Sequence, residues 1–110
     1  MSLRSIEFHI LLALAGEERH GYAILQEIAG LTDGELQLEP PTLYRALHRM
    51  LKDGWIAESA RRPAADVNDE RRKYYRLTPL GRRMATAEAD RLWRLLAVAR
   101  NARLLSRVTP

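Results

Sequence analysis

One stretch of this chain leaves the backbone little choice. Leu43, Ala46, Leu47, Met50 and Leu51 recur at i, i+3, i+4, i+7 and i+8, the spacing that lines one face of an α-helix. Thr42, Tyr44, Arg45, His48, Arg49 and Lys52 fall on the other face. That face is cationic and aromatic, a chemistry that suits phosphates and base edges. A second basic cluster, Arg71-Arg-Lys-Tyr-Tyr-Arg76, follows after about twenty residues. A basic helix followed by a basic hairpin predicts a winged helix-turn-helix.

The charge distribution supports that reading. The net charge of +4 over 110 residues is modest. Yet residues 5–41 carry one base against seven acids, and residues 42–83 carry eleven bases against five acids. Polarity of this kind along a chain points to a surface that meets a polyanion. A length of 110 residues suits one domain, or one domain with an appendage. No apolar run is long enough for a membrane span, and Glu7 and His9 interrupt any signal-peptide core. There is no cysteine, hence no disulfide framework and no zinc-thiolate site. A cytoplasmic protein without membrane association is the expectation.

The rest of the chain reads as follows. Ser5 to about Ala15 predicts a first helix that is apolar around nearly its whole circumference, and so buried on more than one side. Residues 16–20 read as a turn. Gly21 to about Leu31 predicts a second helix with Tyr22, Leu25, Ile28 and Ala29 on its packing face. Leu36-Gln-Leu38 alternates like a short edge strand. Pro40 is expected outside the third helix, because a residue before proline avoids the α region. Pro41 suits the first helical position, and Gly54 ends the helix. Residues 55–60 and 72–77 predict two strands around a loop, with Tyr75 inward and Tyr74 and Arg76 outward.

Thr78-Pro79 is a helix start, a capping hydroxyl followed by proline. A fourth helix reaching Ser106 would be about 40 Å long. The preceding residues make a globule only about 29 Å across, so this helix is expected to overshoot. Ala85, Ala89, Leu92, Leu96 and Ala99 form a packing seam along it. An overshooting apolar seam calls for a partner, and an identical chain is the simplest one. The fold class expected is mostly α (α+β). Residues 1–78 would form the winged domain, and residues 79–110 a long C-terminal dimerisation helix.

Three motifs carry a family resemblance. They are His20-Gly-Tyr-Ala-Ile24; Thr42-Leu-Tyr-Arg-Ala-Leu-His-Arg49 with Asp53-Gly-Trp-Ile56; and Arg71-Arg-Lys-Tyr-Tyr-Arg-Leu-Thr-Pro-Leu-Gly81. In this order and spacing the chain resembles the short PadR-like transcriptional regulators over essentially its whole length. It departs from them at Pro41 and Glu70, where glycine is common. The resemblance implies a homodimeric repressor that binds double-stranded DNA at an inverted-repeat operator. Its long last helix and first helix would form the dimer, and some members bind flat aromatic or hydrophobic effectors at the dimer centre.

The candidate DNA-contacting residues are Thr42, Tyr44, Arg45, His48 and Arg49 on the third helix, with Arg71, Arg72, Lys73 and Tyr74 on the wing. Ala89, Leu92, Trp93, Leu96 and Arg100 are candidates for the dimer interface or an effector site. Trp93 stands there as either a ligand platform or an interface anchor. His9, His20 and His48 lie on three different elements, so no metal site is expected, and no cofactor either. His20 reads as a packing or capping residue of the second helix, and Trp55 as core. No local nucleophile–base arrangement argues for an enzyme. The alternative from another class is a winged-helix module that binds a protein or sequesters a ligand without acting on DNA.

Overall fold

The computed structural model describes residues 5–60 and 73–106. The predicted loop 61–70, Arg71 and Arg72 lie outside the described residues. In chain order the elements are α1 (Ser5–Ala15), β1 (Arg19–His20), α2 (Gly21–Leu31), α3 (Pro40–Asp53), β2 (Ile56–Glu58), β3 (Tyr74–Leu77) and α4 (Pro79–Asn101). The strands form one antiparallel sheet in the order β1-β3-β2. This is the expected winged helix-turn-helix, mostly helical with a small sheet.

The core is assembled from one face of each element. Ile10, Leu11 and Leu14 of α1 meet Ile24 and Ile28 of α2 and Leu43, Ala46, Leu47 and Met50 of α3. Trp55, Ile56 and Tyr75 close it from the sheet side. Trp55 is core, as its position predicts. Each fully buried leucine or isoleucine contributes roughly 1.5–3 kcal/mol. Ile56 pairs with Leu77, and Glu58 with Tyr75. That register turns Tyr75 inward and leaves Arg76 exposed.

Three helix ends share one device. After α2, the amides of Asp33 and Gly34 bond the carbonyls of Gly30 and Ala29. After α3, Gly54 and Trp55 bond Leu51 and Met50; after α4, Arg103 and Leu104 bond Arg100 and Ala99. Each stop uses the left-handed region, at Asp33 and Gly34 after α2, Gly54 after α3 and Arg103 after α4. The carbonyls at the end of α1 are capped differently. Arg19 Nε donates to Ala13 O at 2.7 Å and Arg82 Nη2 to Ala15 O at 3.3 Å.

Several details differ from expectation. The helix α3 begins at Pro40, one residue early. Its first intrahelical bond runs from Leu43 N to Glu39 O, so neither proline withholds a donor that the helix would use. Residues 36–38 form no strand; Leu36 and Leu38 pack half-buried against the core as an extended connection. The third strand is β1, in the segment expected to be a turn. Two residues are too short to show a period, and Arg19 is held by Glu27 at 3.5 Å and Glu17 at 3.8 Å. On α2 the inner line is Gly21, Ile24 and Ile28, and Tyr22 is 59% exposed. On α1, Leu12 is exposed and Glu7 is buried.

The helix α4 stops at Asn101, short of Ser106, because Arg103 turns left-handed. Its 23 residues still span roughly 34 Å. The molecule extends 52 Å along its long axis against 27 and 22 Å across. Its radius of gyration, 15.6 Å, exceeds the roughly 13 Å of a compact domain of this length.

Candidate nucleic-acid interface and apolar groove

The helix α3 is sorted by its own periodicity. Leu43, Ala46, Leu47 and Met50 face the core. Pro41, Arg45, His48 and Lys52 are exposed, and their spacing places them in one outward stripe. Thr42 lies one turn before Arg45, whose Nη2 approaches the Thr42 hydroxyl at 3.5 Å. Glu39 makes no side-chain cap, and two prolines occupy the first two helical positions. The usual free amides at a helix N-terminus are therefore largely missing. An anion at this end must be met by side chains.

The structure separates Tyr44 and Arg49 from that stripe. Tyr44 is half-buried and packs against the core cluster. Its ring lies on Gly21, where any Cβ would collide with the phenol oxygen. The glycine of the His20-Gly-Tyr motif is thus the seat of the α3 tyrosine. Arg49 turns its Nε toward the buried Glu7 carboxylate at 3.9 Å.

The base of the wing is tied to α2. His20 is the N-cap of α2, its Nδ1 accepting from the Ala23 amide at 3.1 Å. This is the capping role its position predicts, and it requires the tautomer with Nδ1 unprotonated. The Tyr74 ring stands edge-on to His20 with centroids 5.4 Å apart. Lys73 lies 3.8 Å from Glu58 on the neighbouring strand. Thr78 caps α4, accepting from the Gly81 amide at 3.0 Å and donating to the Gly54 carbonyl at 2.6 Å.

The other notable surface lies along α1 and α4. Phe8, Ala89, Leu92, Trp93, Leu95, Leu96 and Ala99 line an open apolar groove of about 550 Å³. Four candidate residues from the sequence, Ala89, Leu92, Trp93 and Leu96, are brought together here. Arg100 is exposed and does not line the groove. Ala99, the last residue of the expected seam, lines it as well, and Phe8 and Leu95 join them without having been expected at such a site. Trp93 is 63% exposed, and Leu95 and Val98 are exposed beside it. Further along, Arg91 grips Glu88 with two bonds, Nε to Oε1 at 2.9 Å and Nη2 to Oε2 at 2.6 Å. That hydrogen bonding holds the Glu88 carboxyl below its ordinary range. No cluster of metal-ligating side chains occurs among the described residues.

Comparison with known proteins places this geometry. The model of the transcriptional regulator PadR-like family matches residues 10–87. An uncharacterized protein X of Lysinibacillus sphaericus is 38% identical over 74 residues, which span 66% of this chain and 64% of that protein. The transcriptional regulator Rv3488 of Mycobacterium tuberculosis is 34% identical over 84 residues, 76% of this chain and 72% of its own length. Bacillus subtilis PadR, solved in complex with operator DNA, shares the fold at a TM-score of 0.66 and 22% identity, over 78% of this chain and 47% of that one. The family match covers recognition helix, wing and the first part of the long helix together. The chain belongs to the PadR-like family of transcriptional regulators.

Proposed function

We propose that the chain is a homodimeric repressor that binds an inverted-repeat operator and is released by a flat aromatic or hydrophobic molecule. The observation that carries the reading is the outward stripe of α3, where Arg45, His48 and Lys52 are exposed beside Thr42. Cationic side chains on a helix of this kind suit base edges and phosphates in a major groove. Residues 1–78 serve as the reading unit and α4, Pro79–Asn101, as the pairing helix. The proposed DNA contacts are Thr42, Arg45, His48 and Lys52 on the stripe, Tyr44 and Arg49 at its edge, and Arg71, Arg72, Lys73 and Tyr74 of the wing. Tyr44 acts chiefly by seating α3 on Gly21. Binding to operator DNA by the Bacillus subtilis relative supports the same use here.

Mobility shift against duplexes selected from a random pool tests the reading. Arg45→Ala should weaken selected sites most. Arg72→Ala should weaken all sequences alike and flatten the salt dependence by about one unit. Half-sites should lie about one helical turn apart, roughly 10 base pairs. No shift with any duplex would favour a protein-binding or ligand-sequestering module instead.

The groove supports the effector half of the proposal. Trp93 offers an exposed indole face, and a second copy across a two-fold would bring another, so that two rings clamp a planar ligand. Such a ligand regulates only if it favours one arrangement of the two reading helices over another. Planar dyes should quench Trp93 fluorescence and lower operator affinity, while buried Trp55 serves as the internal control in Trp93→Ala. Equal dye affinity in Trp93→Ala would reduce Trp93 to an interface anchor.

A further inference from the structure

We infer that Glu7 is a positioning residue for DNA binding. It holds the Arg49 guanidinium so that its outer N–H groups meet a phosphate beside the α3 stripe. The inference rests on the DNA reading above. Glu7 sits on α1, and its side chain is only 7% exposed. Arg49 Nε lies 3.9 Å from it, and that nitrogen is itself buried, with no hydrogen-bond partner among the described residues. The Arg49 side chain as a whole is nonetheless 42% exposed. One edge of the guanidinium therefore faces the interior and the remainder faces solvent, next to His48 and one turn from Lys52.

A guanidinium has five N–H donors in a fixed fork. Drawn inward at Nε by the Glu7 charge, it still has donors to offer outward. An arginine free on a helix surface loses considerable rotamer freedom when it grips a phosphate. One already held at its inner end loses less, which is preorganisation. Glu7 also adjoins Phe8, a wall of the apolar groove. The residue that steadies Arg49 thus sits on the same helical turn as the surface proposed to receive a second copy or a ligand.

Charge counting predicts the opposite of this role. Removing an acidic group should strengthen binding to a polyanion. Positioning predicts weaker binding. The experiment uses four full-length proteins: wild type, Glu7→Gln, Arg49→Gln and the double variant. The probe is a labelled 30-base-pair duplex selected from a random pool on the wild-type protein, titrated across a salt series. Glu7→Gln should weaken binding about tenfold in wild type and less than about twofold in the Arg49→Gln background, the signature of two coupled residues. Each single change should flatten the salt slope by about one unit, the loss of one phosphate contact. A merely structural Glu7 would lower the melting temperature and leave the slope unchanged.

Additive effects, an unchanged slope, or tighter binding by Glu7→Gln would each overturn the inference. Should Glu7→Gln fail to fold, Arg49→Lys carries the test. It keeps the charge but drops the Nε–H that faces Glu7, and should weaken binding nearly as much as Arg49→Gln does; wild-type affinity in Arg49→Lys overturns the inference. A wild-type protein that binds no selected duplex is a different result, and it overturns the DNA reading itself.

Discussion

Placing aspartates at Leu92 and Leu96 is expected to abolish pairing of two copies. Both side chains line the groove between α1 and α4, and each is a little over a third exposed. They thus pack partly within their own chain and partly face outward. Burial of the outward part between two copies would stabilise the pair by a share of the roughly 1.5–3 kcal/mol that a fully buried leucine contributes. Aspartate reverses the sign. Two carboxylates per copy, four across a two-fold axis, would be desolvated at several kcal/mol each, and Arg100, one turn beyond position 96, is placed to offset only one of each pair. Every 1.4 kcal/mol is about a factor of ten in affinity, so pairing should weaken by several orders of magnitude. Sedimentation velocity should show a dimer for wild type and a monomer for the double aspartate variant at the same micromolar concentration. Wild type sedimenting as a monomer at micromolar concentration would remove the basis for the pairing proposal.

Gly81→Ala is expected to cost more than its single methyl suggests. The methyl would be driven into the backbone carbonyl of Trp55, with Leu77 Cδ1 only 3.1 Å away. A backbone carbonyl between a helix and a strand has little room to give. This one also accepts the Thr78 amide at 3.2 Å, so displacing it breaks that bond and disturbs the Thr78 cap. Overpacking costs typically 1–3 kcal/mol, and a lost buried hydrogen bond adds a similar amount. The melting temperature should fall by roughly 15 °C, at about 4–8 °C per kcal/mol for a domain of this size. Gly30→Ala is the control. It lies in α2 with nothing within 4 Å of the added methyl, and should stabilise by about 0.5–1 kcal/mol. Equal melting temperatures for Gly81→Ala and wild type would contradict the crossing geometry.

Long periodic segments are legible in the sequence. The bounds of α1 and α2 and the stop at Gly54 follow from helical spacing and terminators, and the Thr78 cap from its motif. What escapes such reading is short or depends on a distant partner. The strand β1 has no period to detect. The inner face of α2 is displaced by one residue from its expected phase, because Gly21 rather than Tyr22 faces inward to receive Tyr44. Pro40 enters the helix because the pre-proline rule is a bias, and the first turn needs no amide there. The outward stripe of α3 can be read because its 14 residues are strongly amphipathic. Tyr44 and Arg49 cannot be resolved that way, since both sit at the edge of the stripe. Gly21 and Glu7, far away in sequence, decide where they point. Phe8 is hidden for a related reason. A helix apolar on nearly every side gives no indication of which side its own chain leaves open.

The crossing at Gly81 has an evolutionary reading. Thr78 ties the end of α3 to the start of α4 through the Gly54 carbonyl, and Gly81 seats that start on the Trp55 backbone. Both contacts run through backbone atoms of the reader, so changes among its side chains leave that attachment of the long helix in place. In the proposed dimer, operator half-site spacing would then change mainly through the far half of the arm, where Leu92, Leu96 and Ala99 would set how two arms cross. Base preference and spacing would be free to diversify through separate residues. A lineage could acquire new operators by altering one without relearning the other.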